Sequence, residues 1–171
     1  MTQPTVFQNN MEPSSKQFEL MPGGLSDLGA LRAMEKVCFP LDAWPLLELI
    51  AFLMLPNLVR IKAVVKGEMA GFIGGDIRRS QNAGWITTLS VFPQYQRLGI
   101  ASTLLEACEQ ELGMPSVKLT VRASNIGAQR LYLSRGYRHV DTWERYYEGG
   151  ENGLIFHKLV ELNAKPQNTT K

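Results

Sequence analysis

Residues 85–112 read Trp-Ile-Thr-Thr-Leu-Ser-Val-Phe-Pro-Gln-Tyr-Gln-Arg-Leu-Gly-Ile-Ala-Ser-Thr-Leu-Leu-Glu-Ala-Cys-Glu-Gln-Glu-Leu. Trp85 to Phe92 is a strand-like run, and Pro93-Gln94-Tyr95 turns the chain. From Gln96 the pattern becomes helical, with Ile100, Leu104, Leu105, Cys108 and Leu112 on one face. A strand, a glycine-containing turn and a helix start place several backbone N–H groups in one direction. The first turn of a helix has unpaired donors and the positive end of the helix dipole, so this is an anion site suited to phosphate. Gly99 lets a pyrophosphate approach the backbone, where a side chain would hold it off. No Gly-Lys-Ser/Thr follows, so the stretch is not a Walker loop. It also lacks the three spaced glycines of a dinucleotide fingerprint.

Gln96-x-x-Gly99-x-Ala101, between a strand and an amphipathic helix, resembles motif A of the GNAT acetyltransferases, which bind acetyl-CoA. Val121-Arg122-Ala123-Ser124-Asn125, Ala128, Leu131-Tyr132 and Gly136-Tyr137 are similar in spacing to the family's second acetyl-CoA segment. Arg145-Tyr146-Tyr147 and Glu151-Asn152-Gly153 resemble the branch that acetylates protein N-termini, typified by ribosomal-protein alanine N-acetyltransferases. The resemblance covers about residues 17–160 and is weakest before residue 57. It implies an α/β fold with a mixed, mostly antiparallel sheet of about seven strands and about four flanking helices.

At 171 residues the chain suggests one domain with a proper core. A net charge of +2 argues for neither nucleic acid nor membrane. Cys38 and Cys108 read as small buried thiols, and His139 and His157 have no ligand spacing, so no metal is expected. Residues 1–16 are polar and read as a disordered tail without a signal peptide. The most apolar run, Trp44 to Leu55, contains Glu48 and is too short to span a bilayer. The expectation is a cytoplasmic protein, monomeric or weakly homodimeric, with a single domain over 17–160 and a polar tail at 161–171.

In chain order, Phe18 to Met21 reads as a short strand. Ser26 or Asp27 caps a helix that runs to Cys38. A second helix spans about Ala43 to Leu55, with Pro45 in its first turn. It is apolar nearly all round, which suits burial against the sheet, a dimer contact or a wall of the substrate cleft. Residues 58–65 and 69–77 read as a hairpin about Lys66-Gly67, with Gly71, Gly74 and Gly75 marking a bulge or a close backbone approach. After the central strand and helix come a strand at 117–122, a helix at 125–135, and strands at 137–143 and 154–160.

Acetyl transfer from a thioester to an amine needs a held cofactor, a base for the amine and a proton for the leaving thiolate. The resemblance implies that the N–H groups of Arg97, Leu98, Gly99, Ile100 and Ala101, with Ser102, cradle the pyrophosphate. It implies that Leu89 and Val91 face the pantetheine amides and that Asn125 bonds the same arm; Asn125 alternatively caps the following helix. Arg130 and Arg135 read as adenosine-phosphate contacts or as a solvated helix face, with Arg130 assigned to the face. Tyr132 matches the position that protonates the thiolate, and a phenol of pKa about 10 carries its proton at neutral pH. Tyr146 and Tyr147 match the loop that closes over the acceptor. Phe39, Pro40, Leu41 and Asp42 fall in the interhelical loop that contacts the first substrate residues in the family.

The base is the departure. Thr120 and Trp85 stand where relatives carry one, and neither can serve. Asp42, Glu144 and Tyr146 are the remaining candidates. An α-amine of pKa about 8 is roughly a tenth or more neutral at physiological pH. A lysine at about 10.4 needs roughly 3 kcal/mol more to deprotonate. A weak base therefore suits a protein or peptide N-terminus. A small-molecule amine such as a polyamine, amino acid or antibiotic remains open as acceptor, as does an acyl-CoA-binding module with little turnover.

Overall fold

The computed structural model describes residues 17–161; the tails read at 1–16 and beyond Glu161 lie outside the described residues. Glu19–Pro22 forms β1, and a 3-10 turn at Leu25–Asp27 leads into α1, Leu28–Cys38. Asp27 stands at the N-cap of α1 without a side-chain cap. Its carboxylate instead accepts from the Gly24 N–H at 2.9 Å and from Lys62 at 2.6 Å. Helix α2 is Leu46–Met54, shorter than the pattern suggested. Pro45 is its N-cap, with ψ 149° outside the helical range, and Trp44, as the residue before a proline, is disfavoured from helical angles, so Ala43-Trp44 do not join the helix.

The rest follows in order: β2 Leu58–Val65, β3 Glu68–Arg78, β4 Ala83–Val91, α3 Ile100–Leu112, β5 Ser116–Arg122, α4 Ile126–Ser134, β6 Arg138–Trp143 and β7 Gly153–Leu159. Lys66 and Gly67 both take positive φ at the β2–β3 turn, which suits a two-residue hairpin. The seven strands form one sheet in the order β1-β2-β3-β4-β5-β7-β6. Every neighbouring pair is antiparallel except β4 and β5. No helix among the described residues is long and apolar enough to cross a membrane.

Each face of the sheet carries its own core. Leu31, Met34, Leu49, Phe52, Leu53 and Phe72 join α1 and α2 to one face. Ile73, Leu104, Leu105, Cys108, Leu112 and Leu119 join α3 to the other. Phe72 and Ile73 are adjacent in β3 and serve opposite cores, as the two-residue period of a strand requires. Helix α2 buries Leu49, Phe52 and Leu53 and leaves Leu46, Leu47 and Met54 exposed, so it covers the sheet with one side only.

The glycines of β3 are close approaches. A Cβ at Gly71 would meet Ile100 and Leu104 of α3, and one at Gly74 would enter the ring of Phe52. Between Gly74 and Gly75 the ladder also slips. Gly74 pairs with Thr88 and Gly75 with Ile86, so Thr87 is an extra residue in β4. A bulge bends the strand that holds the extra residue. Strands β4 and β5 pair only from Gly84↔Val117 to Ile86↔Leu119. Beyond the bulge they part.

Gly74→Ala should destabilise the fold by about 1–3 kcal/mol through overpacking against Phe52. A urea midpoint shifted down at unchanged slope is the expected signature.

Candidate active site

The parting of β4 and β5 opens the sheet, and two cavities meet there. One, of about 630 Å³, lies between the start of α3 and helix α4. The other, of about 140 Å³, lies on the α1–α2 side, walled by Phe39, Trp44, Thr88 and Thr120 among others. Leu89, Asn125, Ala128 and Tyr132 line both. The two spaces are therefore adjacent through the gap.

The larger cavity contains most of the anticipated cofactor residues: Leu89, Val91, Arg97, Gly99, Ile100, Ala101, Ser102, Asn125 and Tyr132. Leu98 is the exception; its side chain is exposed and does not line the space. Gly99 is the N-cap of α3 with φ +79°, and a Cβ there would meet nothing within 4 Å. Positive φ and open space above the backbone are what a cradle of N–H groups needs. Arg97 also takes positive φ, which continues the turn. The residues present thus fit a diphosphate at this helix start. Arg130 is exposed on α4, as the solvated-face assignment has it, and also borders this cavity, whereas Arg135 lines a different hollow beside Glu109 and Lys158.

Strand β4 also presents its backbone to the gap. The N–H of Phe92 bonds the carbonyl of Ala70 on β3. Successive residues alternate direction, so Val91 and Leu89 turn their polar backbone groups toward β5. Past Ile86 no ladder partner meets them. The Val91 carbonyl is met by the Gln96 amide at 3.3 Å and the Cys38 thiol at 3.6 Å. Leu89 is left without a ladder partner on that side. Asn125 caps α4, its Oδ1 accepting from the Ala128 N–H at 3.0 Å.

Tyr132 sits on α4 against Tyr137 and Phe156, with ring centroids 5.7 and 6.1 Å away. Burial, with the nearby Tyr147 phenol, pushes its hydroxyl above the usual phenol range, so it stays protonated. Tyr137 is fixed in turn by its own hydroxyl, which donates to the buried Glu109 at 2.8 Å.

On the α1–α2 side, Arg122 ties three segments together. It grips Asp42 through Nε at 2.6 Å and Nη2 at 2.7 Å, and Glu151 through Nη1 at 2.5 Å. Its guanidinium also lies 4.6 Å over the Tyr147 ring. Ser124 and Arg122 hold the Glu151 carboxyl below its ordinary range. Phe39, Asp42 and Tyr147 line the smaller cavity as expected, but both oxygens of Asp42 are engaged by Arg122, which removes it as a free base.

Leu41, Glu144 and Tyr146 lie outside both cavities. Leu41 points to solvent. Arg145 takes positive φ, and the Tyr147 N–H bonds the Glu151 carbonyl, so this turn sends Tyr147 inward and Tyr146 outward. Tyr146 then packs edge-on against Tyr147, 4.9 Å between centroids. It supports the wall and does not line it. Trp85 is stacked on Trp143 and covered by Arg78, and it is not part of the smaller cavity's lining.

The sequence reading missed Glu35. It is 1% exposed, lines the smaller cavity, accepts from the Thr88 hydroxyl at 3.1 Å, and its carboxyl is pushed up by burial against the pull of Thr88 and the Trp44 N–H. A lone glutamate between Met34 and Val37 on an amphipathic helix belongs to no motif. Its spacing from Leu31, which shares its face at i and i+4, was the available signal.

A glycine-led helix start lies beside a split sheet, and comparison with known proteins supplies the family of transferases to which this arrangement belongs. The pattern of the Acetyltransferase (GNAT) family matches residues 28–137. The chain is 30% identical over 144 residues to the N-terminal acetyltransferase A complex catalytic subunit NAA10 of Arabidopsis thaliana, covering 80% of this chain and 75% of that one. The ribosomal-protein-S18-alanine N-acetyltransferase from Escherichia coli superposes with a TM-score of 0.76 at 24% identity, over 87% of this chain and 97% of that one. Arabidopsis thaliana NAA60, solved in complex with acetyl-CoA, superposes at 0.73 and 24% identity, over 84% and 98%. The chain belongs to the GNAT acetyltransferase family and is an N-acetyltransferase.

Arg122→Met should uncouple the loop before α2 from the β6–β7 loop. Amide exchange should rise at residues 39–44 and 146–152 while α3 stays protected, as read by mass spectrometry.

Proposed function

We propose that the protein transfers the acetyl group of acetyl-CoA to the α-amine of a protein or peptide N-terminus, directly, with both reactants bound together. The observation that carries this is the pair of cavities sharing Leu89, Asn125, Ala128 and Tyr132 across the β4–β5 gap. A thioester arm lying in that gap would be held by the residues that the two cavities share. When bound, acetyl-CoA supplies an activated acyl carbon with a thiolate leaving group.

This chain's residues do the rest. The α3 start, Arg97 to Ser102, holds the diphosphate, and the open backbone of Leu89 holds an amide of the arm. Tyr132 donates its phenolic proton to the departing sulfur. Phe39, Trp44 and Tyr147 enclose the acceptor and exclude water, while the Arg122 knot keeps the two loops that carry them in register. Holding amine and acyl carbon in one geometry removes the need for a covalent intermediate on the protein. The relative named as catalytic subunit of an N-terminal acetyltransferase supports an α-amine acceptor. So does the lower pKa of that amine compared with lysine.

The test is a panel of peptide N-termini alongside polyamines, amino acids and aminoglycosides, followed by thiol release. Transfer to peptide α-amines is expected; transfer only to small amines would overturn the acceptor assignment. Gly99→Glu places a carboxylate in the cradle and should weaken acetyl-CoA binding by about a hundredfold, corresponding to about 3 kcal/mol of lost charge-assisted hydrogen bonding. Unchanged affinity by calorimetry would remove the cradle from the site. Tyr132→Phe should lower kcat by about a hundredfold and leave acetyl-CoA affinity as it was. A full-rate variant would exclude Tyr132 as the acid.

A further inference from the structure

We infer that Glu35 is the base that takes the proton of the acceptor amine; the inference rests on the N-acetyltransferase reading above and deepens it. Two glutamates among the described residues are buried, and they differ in company. Glu109, 3% exposed, is paired with Lys158 at 2.7 Å and with the Tyr137 hydroxyl. Its surroundings satisfy it, and its role is to hold the fold. Glu35, 1% exposed, has only neutral donors among the described residues: the Thr88 hydroxyl at 3.1 Å and the Trp44 N–H at a long 3.5 Å. The guanidinium in the same cavity wall, that of Arg122, is committed to Asp42 and Glu151.

Burying a carboxylate without a cation is costly, and an ionised carboxylate has about four acceptor positions. Glu35 uses two and borders the acceptor cavity. An ammonium entering that cavity is the cation it lacks. Asp42, the other carboxylate of the lining, has both oxygens held in the fork from Arg122.

The groups facing Glu35 come from every element around it. Cys38 lies nearly one turn further along α1, and its thiol is raised by burial and by the Glu35 charge. Thr88 approaches from β4 and the Trp44 N–H from the loop before α2. Asp42, Arg122, Tyr132 and Tyr147 are the other ionisable groups lining the cavity. Burial raises the Glu35 carboxyl, and the bonds from Thr88 and Trp44 pull it partly back. A raised carboxyl is a better proton acceptor at neutral pH than an ordinary one.

The proton account closes. Glu35 takes one proton from the acceptor ammonium. The neutral nitrogen bonds to the acyl carbon and the carbon–sulfur bond breaks. The sulfur leaves with the proton of Tyr132. The nitrogen's second proton returns to Tyr132 through solvent, and the first leaves Glu35 for solvent. One turnover yields an amide, a free thiol and one released proton.

The experiment compares wild type, Glu35→Gln and Thr88→Val on the best amine from the acceptor panel, over pH, with acetyl-CoA affinity and circular dichroism measured for each. Wild-type kcat should fall toward acid as Glu35 protonates, in a limb above the ordinary carboxylate range. Glu35→Gln should lose that limb and about a hundredfold or more in kcat, with acetyl-CoA affinity intact. Thr88→Val keeps shape but removes a bond that lowers the Glu35 pKa, so its acid limb should move to higher pH. A near-full-rate Glu35→Gln, or a Thr88→Val limb that stays in place, overturns the assignment. If wild type acetylates only small amines, the N-terminal acceptor reading fails while the same variants still decide Glu35. If Glu35→Gln does not fold, the Thr88→Val limb decides alone.

Discussion

Strands β4 and β5 are the single parallel pair in an otherwise antiparallel sheet, and they stay together for only three residue pairs. Everything functional depends on that separation. A β-sheet closed by hydrogen bonds is a wall; here the wall has a slot. The extra residue Thr87 bends β4 at the point where pairing ends, and Gly74 and Gly75 opposite make the bend possible without side chains in the way. On one side the slot is bordered by the α3 start, on the other by α1 and the loop after it. Backbone groups left without a ladder partner become binding groups, because buried polar backbone must be satisfied by something.

Charge is distributed with the same economy. Arg122 leaves the end of β5 and is met by Asp42 from the α1–α2 loop and Glu151 from the β6–β7 loop. Three segments far apart in sequence are thereby held around one small cavity. A planar guanidinium can do this because it offers several donors in a fixed fork. Glu109 is neutralised in the same manner beneath Tyr137. Glu35 stands apart from both, buried and next to space rather than next to a cation. Among the described residues Glu109, the other buried carboxylate, is paired with a cation, and Glu35 is not.

Much of this was legible from residues alone. Period-two and period-3.6 patterns located the strands and helices to within a few residues, because each element's apolar spacing follows from its own geometry. The start of α3 was legible as well, since a helix start and its glycine are local features. The acceptor side was less legible. Leu41, Glu144 and Tyr146 were nominated from neighbouring motif positions, and one residue of turn geometry sends Tyr146 outward and Tyr147 inward. Asp42 was seen as a free carboxylate because its partner lies eighty residues away. Asn125 was read two ways, and its Oδ1 is occupied by the α4 cap.

Sequence by itself determined the class of fold, the order of its elements and the glycine-led start of α3. Those features are written in short stretches, where periodicity, a glycine and a helix start carry their own physical consequences. Only the tertiary structure decided where β4 leaves β5, which carboxylates are neutralised and which one borders empty space. Those depend on pairing between distant segments and on desolvation, and neither quantity exists until the chain has folded.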